Sequence, residues 1–172
     1  AQLLAIQTGY STEGLTAAIA YYHFNDATTR ETTLVNDPSS ENDVNAASAY
    51  LEFAGKTDDF KYKIYGEYTY NLAADNGGAT QAGTGNPESE EQAWVLGGKV
   101  DIDNKFSLGY AYAHFGADAF VGSLTDADFG SAVTADDGSN NVEGHIFTLG
   151  YKVTKNFAVK SKFVMSEAIE DS

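Results

Sequence analysis

The side chains best suited to chemistry in this sequence are three histidines, His23, His114 and His145. A neutral imidazole can bind a metal ion or accept a proton, so the three could form a metal site or supply a general base. The sequence has no HExxH motif, no pair of histidines at metal-ligand spacing and no serine in a nucleophile elbow. Each histidine instead lies near the end of a segment of alternating residues, beside a long polar stretch. We therefore interpret the histidines as interfacial polar residues and predict neither a catalytic nor a metal site.

Two further stretches are candidates for ligand binding, the acidic run DDGSNN at 136–141 and the segment GGKV at 97–100. The acidic run lacks the ligand spacing and the closing glutamate of a calcium loop. The GGKV segment lacks the following helix that a phosphate loop requires. From these patterns we predict that the protein is not an enzyme and holds no cofactor.

Alternation of apolar and polar residues is the dominant pattern of the chain, and it identifies the elements that position the chemically active side chains. In FKYKIYGEYTYN at 60–71, apolar and aromatic residues take every second position, and lysines and a glutamate fall between them. Side chains alternate across a β-strand, so this segment has one apolar and one charged face. The same pattern predicts eight strands, at 3–10, 13–24, 44–55, 60–71, 91–102, 105–116, 143–153 and 156–167.

The connections between the predicted strands alternate strictly in length. Four are short, YSTEG, GKTDD, DN and TK, and three are long and polar, at about 25–43, 73–90 and 117–142. A soluble sandwich has no need of this regularity, whereas an outer-membrane barrel combines short periplasmic turns with long outer loops. The sequence therefore predicts an all-β fold, a transmembrane antiparallel up-and-down β-barrel formed by residues 1–172 as one domain.

The strand count predicts that this domain is a fragment. The first connection is short, so the first strand runs inward and the eighth runs outward. Complete bacterial barrels normally begin and end on the periplasmic side, so we expect eight consecutive strands of a longer barrel. A self-contained eight-stranded barrel is the alternative.

Charge is distributed unevenly along the chain. The sequence has 25 acidic and 10 basic residues, a formal net charge of −15, which excludes nucleic acid as an expected partner. Most basic residues fall in strands or short turns, and more than half of the acids fall in the long loops. A lysine at mid-depth in lipid costs roughly 2–4 kcal/mol, so strand lysines should face a water-filled lumen. The predicted pore-lining residues are Lys61, Lys63, Glu67, Lys99, Lys152, Lys160 and Lys162. The alternative is that these charges only solubilise wetted surfaces.

Aromatic residues concentrate near the strand ends, as in the two interfacial girdles of a membrane barrel. Phe60, Phe106 and Phe157 each directly follow a short turn, which predicts one common depth. Tyr68, Tyr70 and Tyr112 complete the main predicted girdle set. Tyr21, Tyr22, Phe24 and Phe115 are further candidates near the long loops. A sandwich core is the alternative reading of these aromatics.

Three segments resemble a family of porins from Gram-negative outer membranes: FGADAFVGSLTDADFG at 115–130, HIFTLGYKVTKNFAVKSKF at 145–163 and AWVLGGKVDI at 93–102. The resemblance covers about the last 80 residues, and the first 90 agree only in strand pattern. It implies a barrel of about sixteen strands, of which this chain is the C-terminal portion. It also implies a trimer in contact with outer-membrane lipid and lipopolysaccharide. Loop 117–142 is then a hypothetical constriction, carrying Asp118, Asp126 and Asp128.

The function that these features predict is passive diffusion of small hydrophilic solutes and ions through a water-filled barrel in the bacterial outer membrane. Two alternatives remain open at this point. The barrel could be a structural sleeve around a partner such as an electron-transfer cytochrome. It could also be a soluble, lipocalin-like binding barrel, whose apolar side chains face inward.

Overall fold

The computed structural model describes residues 2–25, 44–72, 91–116, 119 and 142–169. Eight strands account for most of them: β1 (Gln2–Thr12), β2 (Leu15–Asn25), β3 (Val44–Lys56), β4 (Phe60–Asn71), β5 (Gln92–Ile102), β6 (Phe106–Phe115), β7 (Val142–Lys152) and β8 (Ala158–Ala168). The eight predicted strands are confirmed, each bound within two residues of its predicted position. Within the described ranges, no helix is long and apolar enough to cross a membrane.

The strands form one antiparallel sheet in the order of the sequence, β1 to β8. Each strand is hydrogen-bonded to the strand before and after it, so the up-and-down topology is confirmed. β1 and β8 each have one neighbour among the described strands. The sheet is therefore open, and its two outer edges lie at β1 and β8.

Short turns join the strands in pairs, as the sequence predicts. Gly14, in the turn between β1 and β2, has a φ of 91°, a conformation that glycine adopts at little cost. Asp103 and Asn104, between β5 and β6, have φ values of 51° and 53°, in the left-handed region that aspartate and asparagine tolerate better than most residues. The first turn is shorter than predicted from YSTEG, because residues 10–12 pair with β2 and extend β1.

Backbone hydrogen bonds also tie each pair of strands to the next at the short-turn end. Three such bonds run from Ala54 N to Gly14 O at 2.9 Å, from Asp103 N to Asp59 O at 3.1 Å and from Lys152 N to Lys105 O at 2.8 Å. The four short turns therefore form one continuous rim of the sheet, and the long connections leave from the opposite rim.

The register keeps two sets of side chains apart across all eight strands. One row of directly opposed residues contains Tyr10, Ala17, Leu51, Gly66, Leu96, Tyr112, His145 and Met165, and we call the surface to which it belongs the apolar face. The next row contains Ser11, Thr16, Glu52, Tyr65, Gly97, Ala111, Ile146 and Val164, and we call that surface the polar face. Every Lys, Asp and Glu within a described strand lies on the polar face except Glu143 and Glu167.

The polar face is the more enclosed side of the sheet. The buried residues within the described strands all lie on it: Ala46, Ser48, Asn71, Ala93, Gly97, Ala111, Ala113, Val142 and Gly144. A small apolar cluster of Ala113 and Val142, with Phe115 packed against it, occupies the same face near the long-loop rim. The exposed large hydrophobic residues of the strands lie on the apolar face, with Leu3 as the exception.

Successive strands are staggered along the sheet. A row of directly opposed residues that starts at Thr8, four residues before the end of β1, reaches Glu167, nine residues after the start of β8. The row therefore climbs from the middle of β1 to the long-loop rim at β8 as it crosses the sheet. The shift of five residues over seven steps between strands is about 0.7 residue per strand, and it inclines the strands relative to the rims.

Candidate functional site

The candidate functional site is the polar face, and its charges concentrate where β3, β4 and β5 approach the short turns. The local sequence of β4 explains this placement. In its first residues, Phe60, Tyr62 and Ile64 alternate with Lys61 and Lys63, so the pleat sends both lysines to the polar face. Tyrosine and isoleucine favour strand geometry, which keeps the alternation in phase along β4.

The predicted pore-lining residues share the polar face. They are Lys61, Lys63 and Glu67 on β4, Lys99 on β5, Lys152 at the end of β7, and Lys160 and Lys162 on β8. The sheet brings Lys61, Lys63 and Lys99 together, and it holds the β8 lysines three strands away from Lys99. Whether these residues line a pore stays a prediction.

Two ion pairs fix the geometry of the lysine group. Lys63 Nζ lies 2.9 Å from Glu52 Oε2, and Lys99 Nζ lies 2.9 Å from Asp101 Oδ1. The Tyr50 hydroxyl donates to Glu52 Oε2 at 2.7 Å. The side chains of Lys63 and Lys99 are both 39% exposed, so each pair contributes only about 0.2–1 kcal/mol. The pairs therefore orient the lysines more than they stabilise the sheet.

Lysines also face each other directly across strands. Lys56 on β3 pairs in register with Lys61 on β4, and Lys63 on β4 pairs with Lys99 on β5. Like charges at directly opposed positions destabilise a sheet. The carboxylates of Glu52 and Asp101 offset the repulsion between Lys63 and Lys99, whereas no ion pair of Lys56 or Lys61 occurs among the described residues.

A cavity of about 420 Å³ lies over this lysine group. Its charged lining residues are Lys56, Lys61, Lys63, Lys99, Glu13 and Asp101. We call this space the basic pocket. The sequence places Lys56 in the predicted short turn GKTDD, and the predicted site did not include Lys56, Glu52 or Asp101. The alternation of 44–55 and 91–102 carried a signal for Glu52 and Asp101, because it assigns them to one face of each strand, in 91–102 the face of Lys99. Lys56 was missed because the structure extends β3 to Lys56, one residue beyond the predicted strand.

Small residues and packed tyrosines form the surface beside the basic pocket. Lys63 Nζ lies 5.1 Å from the centre of the Tyr65 ring, within the range of a cation–π contact. Gly97 makes room for that ring, because a Cβ at this position would lie 2.6 Å from the Tyr65 hydroxyl. Farther toward the long-loop rim, the Ser48 hydroxyl donates to Glu67 Oε1 at 2.8 Å.

The opposite, apolar face carries aromatic rings toward both rims. Five of the six main predicted girdle residues lie on it by register: Phe60, Phe106, Tyr68, Tyr70 and Tyr112. Phe157 directly precedes β8 and is exposed. At the short-turn rim, the Phe106 and Tyr151 rings lie 4.7 Å apart. Toward the long-loop rim, Trp94 lies 5.4 Å from the Tyr112 ring. Their membrane depth is not a property of the isolated sheet, so the girdle stays a prediction.

Three of the additional aromatic candidates do not lie on that face. Tyr22 and Phe24 pair with Ala46 and Val44, which places both on the polar face. Phe115 packs against the polar-face cluster of Ala113 and Val142 instead. The expectation failed because adjacent residues such as Tyr21 and Tyr22 must project to opposite faces, and proximity to a strand end does not choose between them.

The three histidines lie on the apolar face, close to the long-loop rim. His114 Nδ1 is 3.0 Å from Glu143 Oε2, and the His114 ring stacks on Trp94 at 5.6 Å. His145 Nδ1 is 2.9 Å from the Tyr110 hydroxyl. His23 lies on β2 and hydrogen-bonds Asn45, well separated from the other two. Over the described part of the chain, no group of three or more potential metal ligands is brought together.

The predicted constriction residues Asp118, Asp126 and Asp128 lie outside the described residues. The same holds for most of the three predicted long loops. No protein-family model, curated protein or solved structure matches the chain.

Proposed function

We propose that this sheet forms part of the wall of a water-filled β-barrel pore in a bacterial outer membrane, through which small hydrophilic solutes and ions diffuse passively. The apolar face contacts lipid and the polar face lines the water. The observation that carries this proposal is the segregation of side chains, with every strand lysine on one face and almost every exposed large hydrophobic residue on the other.

The extent of the apolar face supports contact with lipid. Ile19, Ile6 and Phe163 are 62%, 61% and 59% exposed, and similar residues cover the face from β1 to β8. Soluble monomers rarely expose a contiguous apolar patch larger than a few hundred Å². A face of this size needs an apolar surrounding, and acyl chains provide one.

The dimensions of the sheet agree with a bilayer. A stagger of about 0.7 residue per strand corresponds to a tilt of roughly 26°, because residues are about 3.3 Å and strands about 4.8 Å apart. Ten residue steps separate Phe60 from Tyr70 on the apolar face. At that tilt they span a height of about 30 Å, enough to cross the apolar band of about 25 Å in membrane barrels.

The placement of charge favours a pore over a soluble binding barrel. A lipocalin-like barrel encloses its apolar side chains and exposes its charges. Here the enclosed face carries the lysines, and the exposed face is apolar. This placement supports a barrel whose interior is filled with water and whose exterior is apolar.

The open edges of β1 and β8 bear on the size of the barrel. In lipid, unpaired backbone N–H and C=O groups along a strand edge cost several kcal/mol each. Additional strands that pair with both edges would satisfy these groups. We propose a larger barrel of about sixteen strands, within the range that bacterial outer-membrane barrels span. Assembly into trimers belongs to the same proposal.

The test is single-channel recording in a planar bilayer with the full-length protein purified in detergent. Discrete conductance steps from a folded, heat-modifiable barrel support the pore. Folded protein that inserts without any steps would contradict it and would favour the sleeve around a partner protein.

A matched pair of cysteine variants tests the orientation of the wall. The chain has no cysteine, so a single introduced thiol reports on one position. Thr148 lies on the polar face and Leu149, its neighbour on β7, lies on the apolar face; both are exposed. A charged, membrane-impermeant methanethiosulfonate should modify Thr148→Cys and change the conductance, and it should leave Leu149→Cys unmodified. Equal labelling of both variants in the bilayer would refute the assignment of faces.

A further inference from the structure

We infer that the basic pocket is a binding site for small oxyanions, and that it gives the proposed pore a preference for anions. The inference rests on the proposed function for its transport consequence, while binding itself can be measured separately. The chain is strongly acidic, with 25 acidic against 10 basic residues, yet four of those basic residues line one cavity.

The arrangement of Lys56 and Lys61 is unfavourable without a ligand, because no ion pair among the described residues offsets their repulsion. Lys56 opposes Lys61, and Lys63 opposes Lys99, in two neighbouring rows of the polar face. The Cβ atoms of directly opposed residues lie only about 4.5–5.5 Å apart, so the ammonium groups repel each other. A sheet that served only as a scaffold would gain stability from an acid at either position.

The charges around the pocket leave a net positive site. The lining includes four lysines against Glu13 and Asp101, and Glu52 pairs with Lys63 from the neighbouring strand. Asp101 pairs with Lys99 and lies directly opposite Lys61 in the register of β4 and β5, while neither Lys56 nor Lys61 forms an ion pair among the described residues. An anion held between them would offset their repulsion, as Glu52 and Asp101 do for Lys63 and Lys99.

The chemistry of the donors favours an oxyanion over a halide. Each ammonium group offers three N–H donors and no acceptor. Phosphate and carboxylate present several acceptor oxygens and form charge-assisted hydrogen bonds with more than one lysine at once. A volume of about 420 Å³ accommodates an inorganic or small organic oxyanion.

Inorganic phosphate is the probe, applied in two measurements on the full-length protein. In the planar bilayer under a potassium chloride gradient, the reversal potential should have the sign expected of a pore that prefers anions. Phosphate added at constant ionic strength should lower the chloride conductance. In detergent, titration calorimetry should detect phosphate binding by the same folded protein.

Charge-neutral variants locate the site. The double variant Lys56→Gln/Lys61→Gln should raise the phosphate concentration for half-inhibition at least tenfold. The control Lys105→Gln/Lys155→Gln removes the same charge from two short turns outside the pocket, and it should shift that concentration less than twofold. Glu52→Gln releases Lys63 from its ion pair, so it should lower the phosphate concentration for half-inhibition severalfold.

The outcomes separate this inference from the proposed function. A conducting pore without phosphate inhibition, or with equal inhibition in both double variants, would overturn the oxyanion site and leave the pore intact. A conducting pore with cation preference would overturn the proposed selectivity. Absence of conductance would contradict the proposed pore. Calorimetry would then test the binding site by itself, and a wild-type protein that binds no phosphate would overturn it.

Discussion

Replacement of Ile19 by lysine is the most direct test of the apolar face. Ile19 lies on β2, has hydrogen-bonded strands on both sides and is 62% exposed. Gln7, on the polar face of β1, is the matched control, since it is also exposed. Ile19 lies five residues after Gly14, and Gln7 lies six residues before Glu13, so both positions have nearly the same distance from the first short turn.

The expected magnitude depends on what surrounds the apolar face. A lysine that faces lipid near mid-depth costs roughly 2–4 kcal/mol. Since about 1.4 kcal/mol corresponds to a factor of ten, the folding equilibrium should fall about 30- to 700-fold. If the face were in water, a lysine at so exposed a position would change the stability by no more than about 0.5 kcal/mol. Gln7→Lys should stay within that smaller range in both cases.

The assay is guanidinium unfolding of the full-length variants from lipid vesicles. Trp94, the single tryptophan of the chain, lies on the apolar face and reports unfolding by fluorescence. The free energy of unfolding of Ile19→Lys should be at least about 2 kcal/mol lower than that of Gln7→Lys. If the two variants unfold within 0.5 kcal/mol of each other and of the wild type, the apolar face does not contact lipid and the pore wall proposed from it is wrong.

Two further predictions use the same preparation. Trp94 lies two residues from the start of β5, near the long-loop rim. Lipids brominated close to the headgroup should therefore quench its fluorescence more than lipids brominated at the chain ends. The reverse order of quenching would place that rim deep in the bilayer. Gly97→Ala should lower the free energy of unfolding by about 1–3 kcal/mol, because its new Cβ would lie 2.6 Å from the Tyr65 hydroxyl and 2.9 Å from Ala111 Cβ. Gly66→Ala is the control, since its Cβ would meet Leu96 Cδ1 at 3.5 Å and Val95 O at 3.7 Å, both ordinary van der Waals contacts. Equal stability of the two alanine variants would contradict the crowding at Gly97.

The strands and their faces could be predicted from the sequence because strand geometry is local. Successive side chains of any strand project to opposite sides, so the alternation of residue types in β4 or β6 predicts which residues share a face. The lysines of β4 and β8 could be assigned to the polar face on this basis alone. Turn residues such as Gly14 and Asn104 mark the hairpins for an equally local reason, since few other residues adopt positive φ at low cost.

Where two aromatic residues are adjacent, the local pattern did not predict which of them lies on the apolar face. Tyr21 and Tyr22 occupy opposite faces, and nothing in their identity shows which of them faces the lysines. Phe115 belongs to a cluster with Val142, a residue 27 positions later in the chain. The pairing of β6 with β7 decides that contact, and pairing is not a local property.

The chain by itself thus determined how many strands form, where they turn and which residues alternate, because these depend on neighbours within a few positions. Only the tertiary structure decided which residues face each other across strands. Shifting β4 by two residues against β3 would keep both faces intact and would separate Lys56 from Lys61. The basic pocket exists because three strands meet in one register, so its lysines were visible in the sequence but their convergence was not.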